Sequence, residues 1–242
     1  MKRAIISDIH GNLAAFTAVL KDIESQQVSE IVCLGDVIGY GAKPAECVAL
    51  VERVCNIKIL GNHEEMALGH VQKELLNDLA LSSLQYTHDR MADYELGCIR
   101  KYARQVTQDN ATYVHASPHQ ADQWPYLLRL RDGEIAFEAA TTQLTFFGHT
   151  HLPTIFVKSP EGEVRMKTGH SFDPDDDCSY LVNVGSVGQP RDHDPRACYV
   201  IHDTDELSVF YRRVEYDISS EQHRMREANI PTLLVERLGI GR

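Results

Sequence analysis

Arg3-Ala-Ile-Ile-Ser7-Asp8-Ile-His10-Gly-Asn12 is the stretch that decides the fold. A short apolar run, residues 3–7, ends in a carboxylate and an imidazole two positions apart. On an extended segment, positions i and i+2 point to the same side, so Asp8 and His10 can grip one cation. Directly after them, residues 12–26 carry Leu13, Phe16, Val19, Leu20 and Ile23 at helical spacing. The pattern then repeats. Residues 30–34 predict a strand that ends at Gly35-Asp36. Pro44 suits the first turn of a helix over 45–54. Residues 57–60 predict a third strand, which ends at Gly61-Asn62-His63-Glu64. Alternation of this kind predicts a parallel sheet with helices on its faces. In such sheets ligands gather beyond the carboxyl ends of the strands, where these motifs fall.

The same punctuation continues downstream. Residues 111–115 predict a strand ending in Val114-His115, and residues 143–147 one ending in Gly148-His149-Thr150-His151. Between them and the third strand, residues 64–104 read as helical, an insertion beside the site. From residue 155 the pattern changes to short strands with turn signals. A hairpin is expected from 155–158 and 164–167 around Pro160-Glu-Gly162. Further antiparallel strands are expected over 181–184, 198–202 and 207–211, with a turn at 203–206. A helical C-terminus is expected from residue 219, interrupted by Pro231. Neither a repeat nor a low-complexity linker occurs, and residues 1–242 are expected to form one domain.

Composition narrows the function class. The chain has 242 residues, 43% of them hydrophobic and 24% charged, ordinary values for a globular protein. A net charge of −11 argues against a broad nucleic-acid surface, though bound metals would reverse the charge locally and admit a nucleotide. The cysteines, at 33, 47, 55, 98, 178 and 198, form no C-x-x-C pair, which fits reduced thiols in the cytoplasm. The first strand begins almost at once, so no secretory leader is expected. No apolar run approaches the roughly 18 residues of a spanning helix.

Taken together, Asp8, His10, Asp36, Asn62, His115, His149 and His151 supply two carboxylates, one amide oxygen and four imidazoles. A carboxylate between two cations can bridge them, and His149 and His151 repeat the i, i+2 spacing. Mixed oxygen and imidazole donors favour Mn, Fe, Zn or Ni over calcium. With no cysteine in the set, a purely structural zinc site is not expected. Each motif alone would pass for a polar turn or a core histidine. Their joint occurrence in this order, each after a strand, points to two metal ions, a standard means of cleaving phosphate esters.

These five motifs resemble those of the calcineurin-like metallophosphoesterase superfamily, and in particular its small bacterial phosphodiesterase branch. Asn183-Val-Gly-Ser-Val-Gly-Gln-Pro-Arg191 resembles that branch too. The resemblance implies an α/β fold, a four-layer α/β/β/α sandwich. It implies that Asp8, His10, Asp36 and His151 hold one divalent ion and that Asp36, Asn62, His115 and His149 hold the other. It implies that His63 binds no metal and serves the phosphate or the leaving oxygen. One departure stands out. Where the serine/threonine phosphatase branch has Gly-Asp-x-Val-Asp-Arg-Gly, this chain has Gly35-Asp-Val-Ile-Gly39-Tyr40-Gly41. The Asp that orients the catalytic histidine there is Gly39 here, and the phosphate-gripping Arg is Tyr40. A protein phosphatase of that type is therefore disfavoured.

The expected activity is hydrolysis of a phosphodiester in a small molecule or nucleotide, by in-line attack of hydroxide generated at the metal pair. The alternatives are a phosphomonoesterase, a dinucleoside-polyphosphate hydrolase, and a non-catalytic scaffold; the complete ligand set speaks against the last. Arg191 is a candidate phosphate contact, or else a surface arginine paired with Asp192 or Asp194. Asn12 and Tyr40 could line the pocket, or cap loops. Trp124, Pro125 and Tyr126 could offer a stacking surface or anchor a loop. His119 and His193 are the remaining histidines nearest the site segments. Other motifs fail on inspection. His63-Glu64 lacks the second histidine of a zinc-protease helix, since position 67 is Ala, and a nucleophile elbow at Ser186 would need Gly where Val184 stands.

Overall fold

The computed structural model describes residues 1–70 and 78–242. In chain order the elements are β1 (Lys2–Ile6), α1 (Leu13–Ser25), β2 (Glu30–Cys33), α2 (Pro44–Val54), β3 (Ile57–Lys58), α3 (Asn62–Ala67), α4 (Asp78–His88), α5 (Asp93–Ile99), β4 (Gln105–Gln108), β5 (Ala111–Val114) and α6 (Leu130–Phe137). They continue with β6 (Leu144–Phe147), β7 (Thr154–Lys158), β8 (Val164–Thr168), β9 (Ser179–Asn183), β10 (Ala197–Asp203), β11 (Ser208–Val214), α7 (Ile218–Glu227) and α8 (Thr232–Ile240).

Two mixed sheets stack face to face. One runs β11-β10-β1-β2-β3 and the other β4-β5-β6-β9-β7-β8. The period of two along each strand divides the apolar residues between the layers. In β1, Ala4 and Ile6 point to the helical side, with Phe16, Val19, Val48, Val51 and Ile99 from α1, α2 and α5. Ile5 points the other way, with Val32 and Leu34, toward Tyr113, Phe146 and Val182 of the second sheet. There Tyr113 and Phe146 stack with ring centroids 5.8 Å apart. The far face of the second sheet buries Phe147, Phe156 and Leu181 under Ala136 and Phe137 of α6. The order of layers is helix, sheet, sheet, helix, as the resemblance implied. Burial of each such Leu, Ile or Phe side chain contributes about 1.5–3 kcal/mol.

Within the first sheet, β1 pairs parallel with β2, and β2 with β3. Within the second, β5, β6 and β9 are parallel. The carboxyl ends of both parallel sets form one rim, and every motif loop leaves from it. Among the described residues no helix is long and apolar enough to cross a membrane.

Several sequence expectations need correction. β1 starts and stops one residue early, because Ser7 already belongs to the loop that turns at Asp8. The 181–184 strand is β9, which is antiparallel to β7 but parallel to β6. β4 and α6 were not expected at all. β4 is a polar edge strand, Gln-Val-Thr-Gln, joined to β5 through Asp109 and Asn110, both left-handed at φ 50° and 58°. Such a two-residue turn is a hairpin signal that the sequence carried. α6 is only 8 residues long, too short for helical spacing to emerge. In the expected helical stretch over 64–104, the described residues form α3, α4 and α5 and no named strand. Residues 71–77 of that stretch lie outside the described residues.

Candidate metal centre

Loops from six strand ends tie one another together at the rim. The Asp8 amide donates to the Gly35 carbonyl (3.0 Å), His10 to Asp36 (2.9 Å), Gly148 to His115 (2.8 Å), and Gly188 to Asp8 (2.9 Å). The His149 amide donates to the Asp8 carboxylate at 3.0 Å. The cost of this weave shows in the backbone. Asp8, His10, Asp36, Tyr40, His149 and His151 all lie at φ between 49° and 63°. Non-glycine residues avoid this left-handed region at about 1–2 kcal/mol each. Strain of this kind persists only where the surroundings over-determine it.

The strained turns aim side chains at one point. Three overlapping groups each bring their ligand atoms within 4.8 Å of one another: Asp8 with His10 and His151, His10 with Asp36 and His63, and Asp36 with His115 and His149. Asp36 belongs to two of them. His115 Nε2 lies 3.3 Å from Asp36 Oδ2 and 3.1 Å from Asn62 Oδ1. His151 Nε2 lies 3.3 Å from Asp8 Oδ1. All seven expected ligands therefore converge.

The donor chemistry fits cations. His10 Nδ1 donates to the Ile38 carbonyl (3.0 Å), His115 Nδ1 to Leu34 (2.8 Å), and His151 Nδ1 to Gln189 (2.6 Å). A carbonyl only accepts, so each ring carries its proton on Nδ1 and, when neutral, a lone pair on Nε2. Two such lone pairs, on His10 and His151, then face each other at 3.0 Å. Two atoms of the set, Asp8 Oδ1 and His149 Nε2, are buried with no hydrogen-bond partner. Burial drives the His10 and His151 rings well toward neutrality and lowers His149 to about 3. At His115 burial works the same way but is outweighed by the Asp36 carboxylate, which lifts the ring to about 9. A cluster of buried imidazole lone pairs facing carboxylate oxygens, two of its atoms without a partner, is what a bound cation satisfies.

His63 sits at the edge of this cluster, 4.0 Å from Asp36 Oδ2 through Nε2. Its amide donates to Asp36 Oδ1 at 2.9 Å. The ring packs edge-on against His10 (4.8 Å) and Tyr40 (4.6 Å). A Cβ at Gly39 would stand 2.2 Å from His63 Nδ1. The glycine therefore makes room for the imidazole. A carboxylate partner at position 39 is replaced by a cage of Gly39, Tyr40 and His10. Burial lowers the His63 pKa, with Asp36 working against it.

Glu64 was legible as part of a motif but not as a functional residue. Fully buried, its carboxylate accepts from the amides of Asp36 (2.8 Å), Gly61 (2.9 Å), Val37 (2.9 Å) and Ile38 (3.3 Å). It clamps the second motif onto the third. Burial and the Asp36 charge raise its pKa to about 7, against the pull of His115 and the amide donors.

The expected substrate contacts divide. Arg191 is not paired with Asp192 or Asp194, which bind Arg213 and Arg196. Its guanidinium instead bonds Gln189 Oε1 at 2.8 Å and lies beside the Tyr40 and Tyr126 hydroxyls. Tyr40 lines the centre, with its ring 4.6 Å from that of His10. Asn12, read either as a pocket residue or as a cap, is buried and takes the capping role. Its Oδ1 caps α1 at the Ala15 amide, and its Nδ2 donates to Gly188 and Tyr216. Tyr126 stacks on His149 at 4.2 Å and Trp124 stands edge-on to His115 at 5.6 Å, so the aromatic segment does border the centre. His193 serves the backbone, its amide donating to Gly241 at 2.8 Å.

Comparison with known proteins identifies the fold and the family. Residues 1–207 match the calcineurin-like phosphoesterase superfamily domain. An uncharacterised protein of Methanocaldococcus jannaschii is 35% identical, over 99% of this chain and 98% of its own length. A metallophosphoesterase from Sphaerobacter thermophilus superposes with a TM-score of 0.88 at 37% identity, over 100% of this chain and 99% of its own. A hypothetical protein from Pyrococcus horikoshii shares the fold, with a TM-score of 0.79 at 16% identity, over 100% of this chain and 98% of its own. The chain belongs to the calcineurin-like phosphoesterase superfamily.

Proposed function

We propose that the protein is a metal-dependent hydrolase that cleaves a phosphodiester in a small molecule or nucleotide, in the cytoplasm. The observation that carries this reading is the placement of Asp36 Oδ2, 3.7 Å from His10 Nε2 on one side and 3.3 Å from His115 Nε2 on the other. Asp8, His10, Asp36 and His151 would hold one divalent ion, and Asp36, Asn62, His115 and His149 the other. Imidazole with carboxylate and amide oxygen suits Mn, Fe, Zn or Ni. Bound there, the ions would supply Lewis-acid activation of water and of the phosphate oxygens. The six cysteines are unpaired thiols, in keeping with a reducing compartment.

The remaining chemistry belongs to the chain's own residues. His63, which lies beside His10 and Asp36 and is assigned to neither ion, donates a proton or hydrogen bond to the departing oxygen, a role worth about 10²–10⁴ in rate. The hydrogen bond from its backbone amide to Asp36 Oδ1 ties the His63 backbone to that carboxylate. Arg191 faces the substrate from the side of Tyr40 and Tyr126, and its planar fork suits phosphate oxygens. Tyr126 and Trp124 shield the second set from bulk water. Hydrolysis of bis(p-nitrophenyl) phosphate and p-nitrophenyl phosphate should be compared after loading with each candidate metal. The diester is the expected better substrate, with turnover reduced at least about 10²-fold in His63→Ala at unchanged metal content. Fully loaded protein that hydrolyses no phosphate ester would refute the reading.

A further inference from the structure

Beside the centre, two arginines share one neutral partner. Gln189 Oε1 accepts from Arg191 Nη2 at 2.8 Å and from Arg237 Nη1 at 3.4 Å. Both Nε atoms, and the Gln189 Nε2, are buried with no hydrogen-bond partner. The nearby carboxylates are already used: Asp192 by Arg213, and Asp194 by Arg196 and Arg213. Neither Arg191 nor Arg237 forms an ion pair among the described residues. Two like charges held this close in a half-buried place repel each other, and an unpaired buried guanidinium donor is costly. Burial and the Arg191 charge accordingly push Arg237 below its ordinary pKa.

The pair is anchored to the candidate metal centre through a single residue. The backbone carbonyl of Gln189 accepts from His151 Nδ1 while its side chain holds the two guanidiniums. Tyr40 connects the two places, with its ring against His10 and its hydroxyl beside Arg191. Arg237 comes from α8, beyond the residues that match the superfamily domain.

From this arrangement we infer that Arg191 and Arg237 form an anion site for a second phosphate of the substrate, next to the scissile one. The inference rests on the proposed hydrolase reading, and charge balance supports it. Two divalent ions carry twice the charge of Asp8 and Asp36, and the guanidiniums add more. A lone phosphodiester monoanion leaves most of that charge unanswered, whereas a nucleoside or dinucleoside polyphosphate answers it. The substrate class is therefore a polyphosphate ester, gripped at the metal pair by one phosphate and at Arg191 and Arg237 by the next, as guanidiniums grip phosphate.

Calorimetric titration of metal-loaded protein with methylenebisphosphonate and with methylphosphonate tests this without turnover. Wild type should bind the two-phosphonate probe at least about 10-fold more tightly than the one-phosphonate probe. Arg237→Gln, which removes the charge and the reach of the guanidinium, should erase that margin. In kinetics the same variant should raise KM for diadenosine tetraphosphate about 10-fold relative to that for bis(p-nitrophenyl) phosphate. A wild type without the margin overturns the inference, and that measurement needs no variant to fold. A margin that survives in a folded Arg237→Gln overturns it as well, as does an equal KM change on both substrates. Loss of all hydrolysis in wild type would instead strike the hydrolase reading, so the two failures are separable.

Discussion

His63 owes its position to shape, not to a charged partner. Alanine at position 39 would put a methyl 2.2 Å from Nδ1, at a backbone φ of +88° that L residues avoid. Gly39→Ala is therefore expected to swing the imidazole away and cut turnover by about 10² or more, with bound metal unchanged. Steady-state kinetics beside metal analysis would check it, and wild-type turnover would take His63 out of the chemistry. Glu64 is the complementary case, a residue held by four amides that would otherwise be buried without acceptors. Glu64→Ala should cost roughly 2–4 kcal/mol in denaturant unfolding and weaken metal uptake, because Asp36 loses its backing. A variant as stable as wild type would show that water replaces the carboxylate.

At the scale of elements, α1 is pinned to β10 and β11 by one carboxylate. Asp22 accepts from the Tyr199 hydroxyl of β10 (2.7 Å) and from Arg212 Nη2 of β11 (2.8 Å). Burial opposes its ionisation, but Arg212 and Tyr199 outweigh burial and hold its pKa below the ordinary value. A depressed carboxylate stabilises the fold above its unfolded pKa and loses that contribution as pH falls through the folded one. Asp22→Asn should therefore melt lower than wild type at pH 7 and converge with it in acid, once pH falls through the depressed pKa of the Asp22 carboxyl. A gap that persists in acid would assign the effect to packing. The elements that could be read ahead of the structure were those with strong periodicity, such as α1 through Phe16, Val19 and Ile23, and the parallel strands whose apolar runs end in Asp8, Asp36 or His149. β4 escaped because Gln105, Thr107 and Gln108 leave Val106 as the single apolar residue on an edge strand. α6 escaped because its apolar face is two residues, Ala136 and Phe137. Arg237 could not be foreseen, since nothing local links a C-terminal helix to Gln189.

For the whole molecule, the strand ends of two sheets meet in one cluster, so occupancy of the centre should report on global stability. Added Mn²⁺ should raise the melting temperature, with about 4 kcal/mol available when free metal exceeds its Kd by 1,000-fold, and a chelator should reverse the gain. A melting temperature indifferent to every divalent ion would contradict the ligand assignment. The metal side chains were legible as a set because each follows a strand. Their convergence depended on the stacking of the sheets through Ile5, Val32, Tyr113 and Phe146, contacts far apart in sequence.

The left-handed turns at Asp8, His10, Asp36, Tyr40, His149 and His151 carry a consequence for engineering. Each bend is braced by a hydrogen bond to a distant part of the chain, so no motif is a portable cassette. Grafting any one of them into another scaffold would let its backbone relax to ordinary φ values and scatter the donors, whereas grafting all six loops together with Glu64 and Gln189 would carry the braces along.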